Sequence, residues 1–117
     1  MAEYLLILSG GDEDLDTMSP DEIEAHMGQY MAWVKALTDA GHYKDARPLE
    51  HGGRTLTGRD GEVLDGPFAE TKEAISGFFL LEAESLEQAT ELARGCPNLT
   101  VDGSVVVRPI RVLGPQA

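Results

Sequence analysis

The densest collection of ionisable and conformationally special residues in the chain is the stretch Asp65-Gly66-Pro67-Phe68-Ala69-Glu70-Thr71-Lys72-Glu73. Gly66 can take backbone angles closed to other residues, and Pro67 fixes its own φ while restraining its predecessor. Around this bend stand an aromatic anchor, Phe68, and charges of both signs in Asp65, Glu70, Lys72 and Glu73. The chain has no glycine-rich phosphate loop, Walker lysine, nucleophile elbow or helical metal pair, so no cofactor and no metal is expected. Cys96, between Gly95 and Pro97, has no partner at ligand spacing and reads as a buried cap residue. Acid-base chemistry is what remains. A histidine oriented by a carboxylate such as Asp65 would serve it; Lys72 and Arg108 could hold an anionic group or form surface ion pairs. The competing reading of Asp65 is an Asx-turn that holds the Gly66-Pro67 bend.

The elements that must position these residues follow from periodicity. Tyr4-Leu5-Leu6-Ile7-Leu8 is a continuous apolar run, the pattern of a strand covered on both faces. With Glu3 before it and no basic leader, it reads as a first strand rather than a signal peptide. The acidic stretch from Asp12 to Asp16 reads as a loop, and it lacks the distal glutamate of a calcium site. Ser19-Pro20-Asp21-Glu22 starts a helix through a capping box with proline at the first helical position. That helix should run to about Ala40 and stop at Gly41. Ile23, Met27, Tyr30, Val34 and Leu37 form its predicted buried stripe. His26 and Trp33 lie along one edge of the stripe, His26 half-exposed if it is an ordinary surface histidine, Trp33 in the core if it is not a ligand platform.

A second strand is expected over His42–Leu49, then a hairpin of Arg54-Thr55-Leu56-Thr57 and Glu62-Val63-Leu64 turning at Asp60-Gly61. Ile75–Glu82 reads as a central strand, with Gly77 marking a bulge or a close approach of something to the backbone. Ser85-Leu86-Glu87-Gln88 starts a shorter helix ending at Gly95, and Val105–Ile110 is the last strand. With the hairpin set aside, the order is βαβ twice over. That is an α+β, ferredoxin-like antiparallel sheet with both helices on one face. Its other face, apolar and bare, calls for a cover, and a second copy of the chain is the obvious one.

Whole-chain numbers limit the partners. At 117 residues the chain is expected to be one domain, spanning 1–117. No apolar run approaches the ~20 residues that cross a bilayer. One cysteine rules out an intrachain disulfide and fits a cytoplasmic location. The net charge of −12, with nine basic residues against twenty-one acidic, argues against nucleic acid and against an anionic membrane surface.

The nonapeptide resembles the signature of the DGPF group of YCII-related proteins, small bacterial domains named after these residues. The likeness extends through Gly41-His42, Gly95-Cys96-Pro97 and Val107-Arg108-Pro109. It implies a dimeric α+β barrel, in which two sheets pack face to face as a homodimer. It also implies a histidine–aspartate pair in a cleft between helix and sheet, for which the candidates here are Asp65 and His26, with His42 the alternative histidine. Two functions of different class follow. One is a small-molecule-binding protein or enzyme, with Trp33, Phe68, Lys72 and Arg108 contributing to a ligand cleft. The other is a non-catalytic accessory or regulatory dimer, for which the group's frequent gene neighbourhood with alternative sigma factors speaks; there Gly66, Pro67 and Glu70 are structural.

Overall fold

The computed structural model describes residues 1–65 and 74–114. Four strands form one antiparallel sheet in the order β2-β5-β1-β6: β1 Ala2–Gly10, β2 Tyr43–Pro48, β5 Ile75–Ala83 and β6 Gly103–Pro109. Each of the two crossovers, carried by α2 (Pro20–Asp39) and α3 (Leu86–Ala93), skips over one intervening strand. This is the ferredoxin-like topology expected from the order of elements. The remaining strands, β3 (Arg54–Thr57) and β4 (Glu62–Asp65), pair only with each other.

Strand alternation divides the sheet into two faces. Tyr4, Leu6 and Leu8 of β1 and Phe79, Leu81 and Ala83 of β5 are buried under the helices, where Leu37 of α2 and Ala89 and Ala93 of α3 meet them. Their chain neighbours Leu5, Ile7, Phe78 and Leu80 point to the opposite, half-open face. There Leu5 lies opposite Leu80 and Arg108, and Ile7 opposite Phe78 and Val106. The chain thus forms a slab of 47 × 38 × 18 Å. Its radius of gyration is 16.1 Å, against about 13 Å for a compact chain of this length.

Local signals explain the ends of α2. The Ser19 hydroxyl accepts from the Glu22 amide at 3.2 Å, and the Glu22 carboxylate accepts from the Ser19 amide at 3.0 Å. At the other end Gly41, at φ +82°, takes the left-handed turn that a Cβ would strain. Its amide and that of His42 donate back to Thr38 and Leu37. The second helix starts differently from a full capping box: Ser85 accepts from the Gln88 amide, but the Gln88 side chain accepts from Glu84 rather than from Ser85. Among the described residues, no helix is long and apolar enough to cross a membrane.

The structure alters three local expectations. The acidic stretch is not a loop: Asp12–Asp16 forms a one-turn helix, α1, entered through left-handed Gly11. Acidic side chains in a first helical turn are favoured by the exposed amide groups there, which offsets their mutual repulsion. The hairpin turns over four residues, Gly58 to Gly61, with both glycines at positive φ, instead of over Asp60-Gly61 alone. The buried stripe of α2 is displaced at its start, while Tyr30, Val34 and Leu37 pack on the core as expected. Ile23 and Met27 are 42% and 54% exposed, whereas His26 is buried together with Leu37, and Tyr30 and Trp33 pack on the same core. The stripe His26, Tyr30, Trp33, Leu37 keeps the four-three-four spacing of a helical face, shifted by one position at its start.

Gly77 combines both features expected of it. The register slips beside it, where Leu8 pairs with Gly77 and Ser9 with Ile75, so Ser76 is the extra residue of a bulge. A Cβ at Gly77 would also stand 2.9 Å from the Arg47 carbonyl oxygen. Gly103 is tighter still, because a Cβ there would meet the Asn98 side-chain nitrogen at 2.4 Å and the Asn98 backbone oxygen at 2.6 Å. Gly103→Ala is therefore expected to lower stability by about 1–3 kcal/mol through overpacking. Gly114→Ala, which meets nothing within 4 Å but lies at positive φ, is the control for a purely conformational cost. Urea denaturation compares the two; a Gly103→Ala midpoint equal to the wild type would mean that Asn98 yields freely.

Candidate functional site

A cleft of about 610 Å³ opens between α2 and the β2–β5 end of the sheet. That volume suits a small organic molecule. Its floor is apolar and aromatic, made by Leu8, Tyr30, Ala46 and Phe79, while Ile23, Met27, Leu15 and Ile75 form the walls. The exposure of Ile23 and Met27 is therefore exposure to the cleft. Tyr30 and Phe79 lie nearly parallel with ring centroids 6.1 Å apart, and Trp33 meets Phe79 edge to face at 4.7 Å.

His26 is the central polar group of this space. It is 6% exposed, its ring stands edge-on to Tyr30 at 5.2 Å, and it lines the cleft. No hydrogen bond or ion pair joins its imidazole to another described residue. Every well-buried side-chain nitrogen or oxygen among the described residues that is sealed from solvent has a hydrogen-bond partner. The unpartnered ring nitrogens of His26 must therefore open into the cleft. A buried polar group without a partner is costly, about 1–3 kcal/mol, unless water or a ligand satisfies it. This placement replaces the half-exposed surface histidine with a buried, cleft-facing one.

Tyr30, one turn further along the helix, brings its hydroxyl close to the Cys96 thiol. Burial, followed by the neighbouring Cys96, pushes the Tyr30 hydroxyl well above the usual tyrosine range, and burial likewise raises the Cys96 thiol. Both stay neutral at physiological pH, so neither is an activated nucleophile. Cys96 is a buried residue preceding a 3-10 turn, Pro97–Thr100, as its setting between Gly95 and Pro97 suggests.

The chain brings further polar groups to the cleft that sequence patterns did not single out. Asp12, the first residue of α1, presents a carboxylate whose side chain is only 15% exposed. Its ion-pair partner is His51, whose Nδ1 lies 3.8 Å away and whose side chain is 80% exposed. Asn98 is buried, and its amide nitrogen donates at 3.0 Å to both the Ser9 and Ser104 carbonyls, tying the ends of β1 and β6 together beside the cleft. Ser76, at the β5 bulge, also lines the space.

The structure separates the other candidate residues. Trp33 does not line the cleft; its indole N–H donates to the Leu92 carbonyl at 3.1 Å, and its ring occupies the space that a Cβ on Gly95 would need. It joins α2 to α3 as a core residue. Arg108 stands exposed on the open sheet face, opposite Leu5, away from the helices. His42 is engaged in the sheet: its Nδ1 lies 2.7 Å from the Glu82 carbonyl, which requires the proton on that nitrogen. Asp65 closes β4 opposite Arg54. The Asp65 side chain, and with it Gly66, Pro67, Phe68, Glu70 and Lys72, lies outside the described residues. The residue that directly follows the nonapeptide, Ala74, lines the cleft.

Comparison with known proteins agrees with the signature. The family model of the YCII-related domain matches residues 2–113. An uncharacterized protein of Rhizobium meliloti (strain 1021) is 35% identical over 117 residues, covering 96% of this chain and 94% of that protein. Among solved structures, a 5-chloro-2-hydroxyhydroquinone dehydrochlorinase from Burkholderia phenoliruptrix AC1100, in complex with 2,5-dihydroxybenzoquinone, aligns over 93% of each chain at 15% identity and a TM-score of 0.47. The chain belongs to the YCII-related domain family.

Proposed function

We propose that this protein binds a small, largely apolar molecule in the cleft and that His26 accepts a hydrogen bond, or a proton, from it. The observation that carries this reading is the His26 imidazole, buried, unpartnered among the described residues and open to a cavity of ligand size. An imidazole ring nitrogen without a protein partner can accept a hydrogen bond from a ligand placed beside it. The cleft supports a ligand-binding or catalytic role over a purely structural one, since a structural face would be filled. The functional unit in this proposal is a homodimer in which the open sheet faces of two copies cover each other.

The test uses 2-naphthol, which has a hydroxyl to donate, and 2-methoxynaphthalene, which has none. By titration calorimetry, 2-naphthol is expected to bind the wild type at least tenfold more tightly than His26→Ala, the loss of one hydrogen bond in a sheltered site. The methoxy compound should bind both proteins alike. Amide NMR shifts should map both compounds to Leu8, Met27 and Ser76. The reading fails if neither compound shifts those residues, or if His26→Ala, folded by circular dichroism, binds 2-naphthol as well as the wild type does.

A further inference from the structure

The charge around the cleft defines the class of ligand more closely. Asp12, Asp16 and Glu50 all line it. Among the described lining residues the only permanent cation is Arg47, and its guanidinium is already engaged by the Asp45 carboxylate and by the Ala46 carbonyl at 2.7 Å. The Asp12 carboxylate is mostly buried, and its one ion-pair contact, to exposed His51, is long at 3.8 Å. A sheltered carboxylate with so weak a partner favours a positive charge beside it. The second, independent feature is His26, more than nine-tenths buried, with free ring nitrogens opening into the same cleft. A neutral imidazole offers one acceptor nitrogen, to which an ammonium group can donate, and one N–H donor; His26 thus marks a polar contact, and the carboxylates set the sign of charge.

We propose that the cleft takes a hydrophobic cation: an amine whose apolar body lies over Tyr30 and Phe79 and whose ammonium group is held by Asp12 and donates to His26. This rests on the reading of the cleft as a binding site and adds the sign of the ligand's charge and the residue that selects it. Anionic ligands meet three carboxylates in the lining of the cleft and a net charge of −12 on the chain as a whole. Both effects weaken their binding, and the long-range one is screened by salt.

The experiment compares three compounds with one naphthalene body: 2-naphthylmethylamine, 2-naphthylmethanol and 2-naphthoate. Calorimetry at pH 7.5 and low salt is expected to rank the amine at least tenfold above the alcohol, with 2-naphthoate weakest. Asp12→Asn should remove most of the amine's advantage over the alcohol, and the advantage should shrink in 0.5 M NaCl. If the alcohol or the naphthoate binds as tightly as the amine, while His26→Ala still weakens the alcohol, the cleft is a binding site and the cation assignment is overturned. If Asp12→Asn leaves the amine's advantage intact, Asp12 is not the selecting residue and the proposal fails likewise. If none of the three binds at millimolar concentration, the cleft is not a ligand site and both readings fall.

Discussion

Leu81→Ala is expected to lower the free energy of unfolding by about 2–5 kcal/mol, the cost of emptying a fully buried leucine site whose surroundings relax only partly. Leu81 sits near the C-terminal end of β5, opposite Tyr4 on one side and Tyr43 on the other, with no exposed surface. It belongs to the cluster that joins Leu6, Phe79 and Leu37 under the helices. A domain of this size has roughly 5–15 kcal/mol of stability in total, so this single truncation removes a large share of it. The neighbouring Leu80 provides the contrast because it points to the other face. Leu80→Ala should cost less than about 1 kcal/mol in dilute solution, where that face meets water, and more as concentration rises and copies associate. Urea denaturation at two protein concentrations measures both. Equal losses at 80 and 81 in dilute solution would contradict the division of the sheet into a core face and an open face.

Much of this architecture can be read from periodicity because strands and helices state their buried faces in the sequence. The continuous apolar runs Tyr4–Leu8 and Phe78–Leu81, the Ser19-Pro20 helix start and the Gly41 stop all act over a few residues. The stripe of α2 was displaced for a different reason. Ile23 and Met27 are apolar, and apolarity does not say whether a residue faces a packed core or an open cleft. His26 took the buried position because Tyr30 packs against its ring, a contact that a polar residue type conceals. Asp12 was obscured by its neighbours: in a run of acidic residues nothing local distinguishes the one carboxylate that the fold shelters. Asp12, His26 and His51 line one cleft only because the β1 exit, the helix and the β2 exit converge at one end of the sheet. Trp33 shows the converse, a residue suited to stacking on a ligand whose N–H is taken by Leu92.

The open face carries the last prediction, Ile7→Asp. Ile7 lies at the centre of that face, between Phe78 and Val106, with Leu5 and Leu80 beside them. Around these apolar residues stand Asp45 and Arg47 on β2, Arg108 and Ser104 on β6, and Glu3 and Glu82 at one end. An apolar centre with a charged rim is the anatomy of a protein interface. The thin slab also leaves this face with no second layer among the described residues. A two-fold contact would bury each Ile7 against the partner's sheet and would therefore meet any substitution twice. An unpaired carboxylate at such a site costs about 3 kcal/mol, and two of them raise the dissociation constant on the order of 10⁴-fold. Sedimentation equilibrium at micromolar concentration should thus show a wild-type dimer and an Ile7→Asp monomer. Val106→Glu, on the neighbouring strand where the side chain is 47% exposed, guards against misfolding, since a monomer there is expected to keep its native circular dichroism. A wild-type chain that sediments as a monomer, or folded variants at both positions that remain dimeric, would mean that the sheet face is not where two copies meet.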